Sequence, residues 1–487
     1  MTKRDTANLD GSITIFLALS FTLIMSVIFS TLESARRIAV SSFLEGVTQI
    51  SMDSTFSEFC KQLWEDYHIF ATVTNNEEFL KDMESYVDGN IENNSFFKSF
   101  SDEITIIETT DLTSNNTEYF ISQILNYMKY KEITCVADFL LVKSGIDYDP
   151  SSLSDLADGK MEKNDFDALD FGSLMDMVKD ANSSFSDEDA NNNLSLSDTF
   201  SIDILKAIMH IFDDSLAHYL VPSTLELSYY NIEKKGLPSE YLIGNIEFTK
   251  QEYSLFEKFL FCEYIGQHFG SYTTVIRDSP LEYQKEYIMY GLGSDDKNLT
   301  KAARELILLR FGFNVVHILT NKEKINTVSS VANTVSAIPA LPIVIQILLI
   351  SMWALSESII DVKDLLAGKK VPFIKSADQW TLSLDSLLSF SYDTVSNNEG
   401  EEGLCYDNYL EILMMKRDIY EMSYRALDLI QIDYSSNIND TFTISSCFIG
   451  AKCKLDFFSN DIFSTVNFLR HGYYFPEFTI TQTYYYH

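Results

Sequence analysis

An uncharged run of 20 residues, Ile13 to Leu32 (ITIFLALSFTLIMSVIFSTL), constrains whatever is built around it. A helix rising about 1.5 Å per residue covers about 30 Å over that length, the hydrocarbon thickness of a bilayer. A cleaved secretory signal has a shorter apolar core and a small-x-small exit site. Here the run passes into Leu32-Glu33-Ser34-Ala35-Arg36-Arg37 with helical character unbroken. The expectation is an uncleaved anchor within residues 1–37, followed by a large ectodomain. Lys3 and Arg4 before the run are matched by Arg36 and Arg37 after it, so basic residues alone do not orient the span.

The charge of the chain lies beyond the anchor. Lys and Arg total 36 against 71 Asp and Glu, a net charge of −35, while the first 50 residues are nearly balanced. Such a surface repels the phosphates of nucleic acids and anionic lipid headgroups and lacks the basic footprint either would need; cations and cationic partners fit it. With 487 residues, 46% of them apolar, there is material for two or three folding units. The six cysteines, at 60, 135, 262, 405, 447 and 453, form no CxxC pair, so no zinc ribbon or thioredoxin-type site is signalled. Cys447 and Cys453 are close in sequence, and either bridge a hairpin or remain thiols.

Apolar residues continue at three-to-four-residue spacing through Val40, Phe43, Val47 and Ile50, then Phe56, Phe59, Leu63, Tyr67 and Phe70. The pattern predicts one long amphipathic helix leaving the membrane and presenting a stripe to a soluble domain. A short strand is expected at Ile104 to Ile107, and helix from Glu118 to Val142. Between about Asp147 and Asp203, Asp, Asn and Ser dominate, as in an insertion or loose lobe. Helices are expected near Ile204 to Leu220, Gln251 to His268 and Tyr409 to Ile430, with another begun by Ser294-Asp295-Asp296, whose oxygens suit an N-terminus. Thr441 to Phe458 and Tyr473 to Tyr486 alternate as strands do. The class expected is α+β, predominantly helical, divided as anchor 1–37, helical stalk 38–146, acidic insertion 147–203 and main ectodomain 204–487. A second uncharged stretch, Thr327 to Ser356, is broken by Pro339 and Pro342 and followed by Glu357, Asp361 and Asp364 at helical spacing, so a buried central helix is preferred to a second span.

Few residues suggest chemistry. Thr14, Ala18, Thr22, Ser26 and Ser30 recur every four residues in the anchor, placing small or hydroxyl side chains along one ridge. Ala18, Thr22, Ser26 and Ser30 are the expected helix–helix packing residues; the competing reading is that each hydroxyl bonds its own backbone. Asp187, Asp189, Asn191, Ser195 and Asp198 occupy positions 1, 3, 5, 9 and 12 of a twelve-residue loop with Leu194 at position 8, resembling a calcium-binding EF-hand. Asn192 replaces the usual Gly and Asp198 the bidentate Glu, in a segment where chance matches abound. His210, Asp214 and His218 share a helix face at i, i+4, i+8, either as metal ligands or as a polar stripe. No nucleophile elbow, zincin, P-loop or dinucleotide fingerprint is present, and no catalytic residue or cofactor is assigned.

Asp10-Gly11-Ser12-Ile13-Thr14-Ile15-Phe16-Leu17-Ala18-Leu19, ending in Leu32-Glu33-Ser34-Ala35-Arg36, resembles the N-terminal segment of TadE/TadG-like proteins of tight-adherence (Flp-type) pili. The chain as a whole resembles a long, uncharacterised Gram-positive group of such proteins, a domain of unknown function. The matching stretches are Ser54 to Phe59 with Leu63 to Tyr67, Glu286-Tyr287-Ile288 with Ser294-Asp295 and Asn298-Leu299, and Leu309-Arg310 with Asn314. Further on come Ala354 to Ser358 with Asp361-Val362, Gly368 to Pro372, and Arg425 to Gln431. Type IV pilins carry a Glu five residues after the cleaved Gly; counting from Gly11 that place is Phe16, so incorporation into a filament by the usual rule is not signalled. The resemblance implies a non-enzymatic, pseudopilin-like or accessory protein of a pilus or secretion apparatus. Its expected partners are the membrane, TadE-like proteins and further copies of itself, with the N-terminus cytoplasmic and the ectodomain outside a bacterial cell membrane. The alternatives are a surface-anchored hydrolase with a carboxylate-based site and a calcium-dependent adhesin.

Overall fold

The computed structural model describes residues 7–92, 97, 99–131, 211, 215–222, 226–243, 251–335, 341–387, 390–437, 441–463 and 476–486. The chain divides into two compact units, Met1–Gln123 with Thr443–His487, and Ile124–Phe442. The final strands thus fall in the same unit as the N-terminal helix. The acidic insertion at 147–203 lies outside the described residues.

In the first unit, α1 (Ala7–Ser57) runs for 51 residues, well beyond the apolar stretch. Its later half buries Val40, Leu44, Val47, Met52 and Phe56, none more than 4% exposed. They meet α3 (Asn76–Glu92), whose Phe79, Met83, Val87 and Ile91 fall on one face at four-residue spacing. Both helices cover one side of an antiparallel sheet. Its central strand is β3 (Cys447–Ser459), with β2 (Ser99–Asp111) on one edge and β4 (Glu477–Tyr485) and the short β1 (Thr72–Val73) on the other. Along β3, Ala451, Cys453, Leu455 and Phe457 join the core, while Lys452, Lys454 and Asp456 turn outward. Gly450 is required where it stands, because the Tyr485 ring occupies the place of a Cβ.

Helix α1 lies along the sheet, antiparallel to β3. Arg36 contacts Ser459 and Asn460 at the C-terminal end of that strand, and Phe56 stacks on Tyr484 (4.5 Å) near its start. The strand expected at 104–107 is longer, because Glu103, Thr105 and Glu108 on its open side hide the alternation from a hydropathy reading. The single helix expected through Phe70 is two. Ser54, Thr55 and Ser57 donate to carbonyls three or four residues back, α1 stops, and the Cys60 amide turns to the Ala71 carbonyl (2.8 Å) before α2 (Lys61–Tyr67).

The second unit is helical: α5 (Leu216–Leu220), α6 (Leu255–His268), α7 (Gln284–Tyr290), α8 (Asp295–Thr320), α9 (Lys322–Val335), α10 (Leu341–Leu366), α11 (Leu384–Leu387), α12 (Tyr406–Met414) and α13 (Ile419–Asn437). The chain enters it within α4 (Glu118–Lys131). The second apolar stretch forms α10, packed against α8 and α9, with 72% of its most apolar part buried. That matches the buried helix expected. Ser294 precedes α8 as expected, but its hydroxyl donates to Asp296 (2.5 Å) instead of capping an amide. The helix expected from Tyr409 to Ile430 is broken at 415–418, where the Asp418 carboxylate accepts the Tyr420 amide (2.8 Å) and opens α13.

Candidate functional site

The first part of α1 is a bare apolar cylinder. From Ile13 to Leu32 no side chain is buried, and Phe16, Leu23 and Ile24 are more than half exposed. Burying so much apolar surface is the main free energy this segment has to gain, and its length and composition are those of a helix able to cross a membrane. Ala18, Thr22, Ser26 and Ser30 are all exposed on this cylinder. The Thr22 hydroxyl donates to the Leu19 carbonyl (2.9 Å), so one member of the ridge satisfies itself.

A neutral ionic collar closes the cylinder. Glu33 Oε1 accepts from Arg36 Nε (2.9 Å) and Nη2 (2.8 Å), and Oε2 accepts the amides of Ile462 (3.2 Å) and Phe463 (2.8 Å). Arg36 also donates to the Asn460 carbonyl (2.6 Å) and the Ser459 hydroxyl (3.3 Å), and Arg37 to Asp461 (2.6 Å). Burial works to raise the Glu33 carboxyl, but Arg36 and the amides outweigh it and hold the group below its usual value. Two carboxylates and two guanidiniums thus fasten the segment after β3 to the turn of α1 that follows the apolar run.

The second unit holds a buried charge network. Arg310, fully enclosed on α8, donates to Asp361 on α10 (2.9 Å), to the carbonyls of Pro372 (2.8 Å) and Phe373 (2.9 Å), and to the Tyr409 hydroxyl (3.1 Å). Asn314, one turn on, donates to Asp361 (3.0 Å) and Ser358 (2.9 Å). Lys375 bridges Asp361 and Glu357, and Glu357 accepts the amides of Thr381 (2.9 Å) and Leu382 (3.0 Å). Despite burial, Arg310 and Lys375 hold Asp361 low; at Glu357 burial wins and the carboxyl is raised. Beside it, Lys324 sits 3.3 Å from the Trp380 ring centre and 4.5 Å from that of Trp353, and burial pushes its amine down to about 7. The network ties α8, α10 and the loop from 372 to 382 together with two positive and two negative charges.

Three more buried acids rest on neutral donors. Glu286 accepts the Tyr406 hydroxyl (2.7 Å) and the Tyr272 amide (3.0 Å), Oε2 finds no partner among the described residues, and burial raises the carboxyl to about 7. Asp428 accepts the Tyr287 hydroxyl (2.6 Å) and the Ser239 amide (2.8 Å), and burial raises it to about 6. Asp295 accepts the Ser228 hydroxyl (2.5 Å) and is raised by burial as well.

Residues 197–459, more than half of the 487, match the model of a family of unknown function, DUF5702. The chain belongs to the DUF5702 family. No curated protein and no solved structure matches it, and nothing in these comparisons links it to TadE or TadG. The stretches that carry the resemblance after residue 280 meet in the DUF5702 interior: Arg310, Asn314, Glu357, Ser358 and Asp361 in one network, and Glu286, Tyr287, Asp295 and Asp428 around the neutral-donor acids. Lys375, Tyr406 and Tyr409 complete these clusters and were not marked by any local pattern.

The calcium candidates Asp187, Asp189, Asn191, Ser195 and Asp198 lie outside the described residues, as do His210 and Asp214; His218 is on α5. Among the described residues no three His, Cys, Asp or Glu side chains are grouped to hold a metal. Cys447 and Cys453 are free thiols on one strand, about 20 Å apart at strand rise, too far to bridge.

Proposed function

We propose that this DUF5702 protein is a non-enzymatic, membrane-anchored envelope protein that serves as a pseudopilin-like or accessory component of a tight-adherence pilus or secretion apparatus. One observation carries the reading: the helix whose first part is a bare apolar cylinder is the same helix whose second part forms the core of a helix-on-sheet unit. A signal sequence has no need of that continuity, whereas an assembly subunit uses it to transmit packing in the membrane to a rigid head. The neutral collar supports this by joining the segment after β3 to α1 directly beyond the apolar run. The TadE-like N-terminal segment supplies the choice of apparatus and, with it, a cytoplasmic N-terminus and an external ectodomain.

The buried acids favour a structural role over a hydrolase, because Asp361, Glu357 and Asp428 spend both oxygens on side chains and amides of their own fold. The test is chemical crosslinking in cells that express a tight-adherence apparatus, followed by purification of the full chain from detergent. Recovery of TadE-like or other pilus components is expected. Recovery of none, with the apparatus present, contradicts the proposal.

A further inference from the structure

Between α1 and β4 the first unit carries a cleft of about 390 Å³. Its helical wall is Ser41, Glu45 and Gln49, spaced four residues apart on one face, and its other wall is Phe478 to Gln482 of β4. Strand β4 pairs with β3 on one side, and no described strand pairs with its other side. In an antiparallel ladder alternate residues turn their N–H and C=O toward the partner and away from it. The Tyr486 amide donates to Ile449 (2.9 Å) and the Ser459 amide to Pro476 (3.2 Å), so even-numbered positions serve the β3 ladder. Thr479, Thr481 and Thr483 therefore turn their backbone groups to the open edge. An edge strand with a helix beside it is the geometry in which an extended peptide adds as a further strand.

A second copy does not fit this edge; that exclusion rests on the anchor reading above. Pairing β4 with β4 antiparallel uses a two-fold axis normal to the sheet, which reverses α1 and points the two anchors in opposite directions. Pairing β4 with β2 of a translated copy keeps the anchors parallel but sets Asp102, Glu103, Glu108 and Asp111 against Glu45 and Glu477, with no basic residue in either strand. Glu45 is exposed in a cleft wall otherwise free of charge, pairs with no cation among the described residues, and belongs to a chain of net charge −35. We propose that the open edge of β4 is a strand-addition site for an extended, lysine- or arginine-bearing segment of a different envelope protein, its cation against Glu45.

The full chain in nanodiscs is titrated with a labelled, capped eight-residue peptide alternating threonine and lysine. Two companions are the same peptide with alternate amides N-methylated and one with glutamate in place of lysine. Binding of the lysine peptide is expected to slow hydrogen exchange at Thr479, Thr481 and Thr483, with the even-numbered amides protected throughout. Glu45→Gln is expected to weaken it about two- to fivefold, the worth of one exposed ion pair. Thr481→Pro removes an outward donor without touching the β3 ladder and is expected to weaken it about tenfold, with unchanged exchange at even positions reporting an intact sheet. No binding at millimolar peptide overturns the proposal. Equal binding of the N-methylated peptide overturns strand addition, and equal binding of the glutamate peptide overturns the role of Glu45. Peptide binding does not need the anchor, so its failure leaves the membrane proposal standing; failure of the anchor alone would readmit the antiparallel second copy.

Discussion

Replacing Arg310 by Met probes whether the DUF5702 interior is held by its charge network. The substitution keeps a long apolar stem but removes donors to Asp361, to the Pro372 and Phe373 carbonyls and to Tyr409. Removing one partner of a buried ion pair costs about 3–5 kcal/mol. Lys375 stays beside Asp361, which limits the charge term, while two carbonyls lose donors worth about 1 kcal/mol each, so a loss of about 4 kcal/mol is expected. Removing Asp361 as well should restore part of it, because the charge left uncompensated is then gone; a coupling of at least about 1.5 kcal/mol between Arg310→Met and Asp361→Asn is expected. Urea unfolding of the full chain in detergent, followed by fluorescence in a Trp64→Phe background, reports this unit through Trp353 and Trp380. A loss below about 1 kcal/mol, or additive single and double variants, would falsify the reasoning.

Two further outcomes follow from the geometry. Thr22→Ile with Ser26→Ile keeps the anchor apolar while adding bulk on the exposed ridge, so crosslinking between anchors in the membrane should fall with the protein still embedded; crosslinking at the original level would mean that the hydroxyls only serve their own helix, as Thr22 does. Glu286 is raised from 4.5 to about 7, so the folded state holds a proton that the unfolded chain releases, and its contribution is complete below pH 4.5 and lost as pH rises through about 7. Relative to Glu286→Gln, the native protein should therefore lose about 3 kcal/mol between pH 4.5 and 8. Parallel stability curves for the two would contradict the assignment.

What could be read from the sequence was set by periodicity and composition. The apolar run, most of the stripe from Val40 to Phe56 and the strand alternation around Cys453 are local patterns present in the fold; Ile50, counted in that stripe, is instead exposed, and Leu44 and Met52 take its place in the core. The partnership of the first helix with the last two strands was not legible, since it joins residues more than 400 positions apart, such as Arg37 and Asp461, through contacts that leave no local signature. Glu357, Asp361 and Asp364 read as a polar boundary to an apolar stretch, yet each is buried and faces a cation, Lys375, Arg310 or Lys369, supplied from outside α10. The cleft beside β4 was equally hidden: Glu45 is one acid among 71 until the sheet edge places Thr479 and Thr481 next to it.

The most direct test of the central claim, that α1 crosses a bilayer and continues into the folded head, is the accessibility of epitope tags at the two ends of the chain. In intact, wall-stripped cells a tag after His487 should be bound by antibody and removed by protease. A tag before Met1 should remain hidden until the membrane is permeabilised, and the protein should stay in the membrane fraction throughout. Exposure of both tags in intact cells, or of neither before permeabilisation, would place the two ends on the same side and contradict a single span through Ile13 to Leu32.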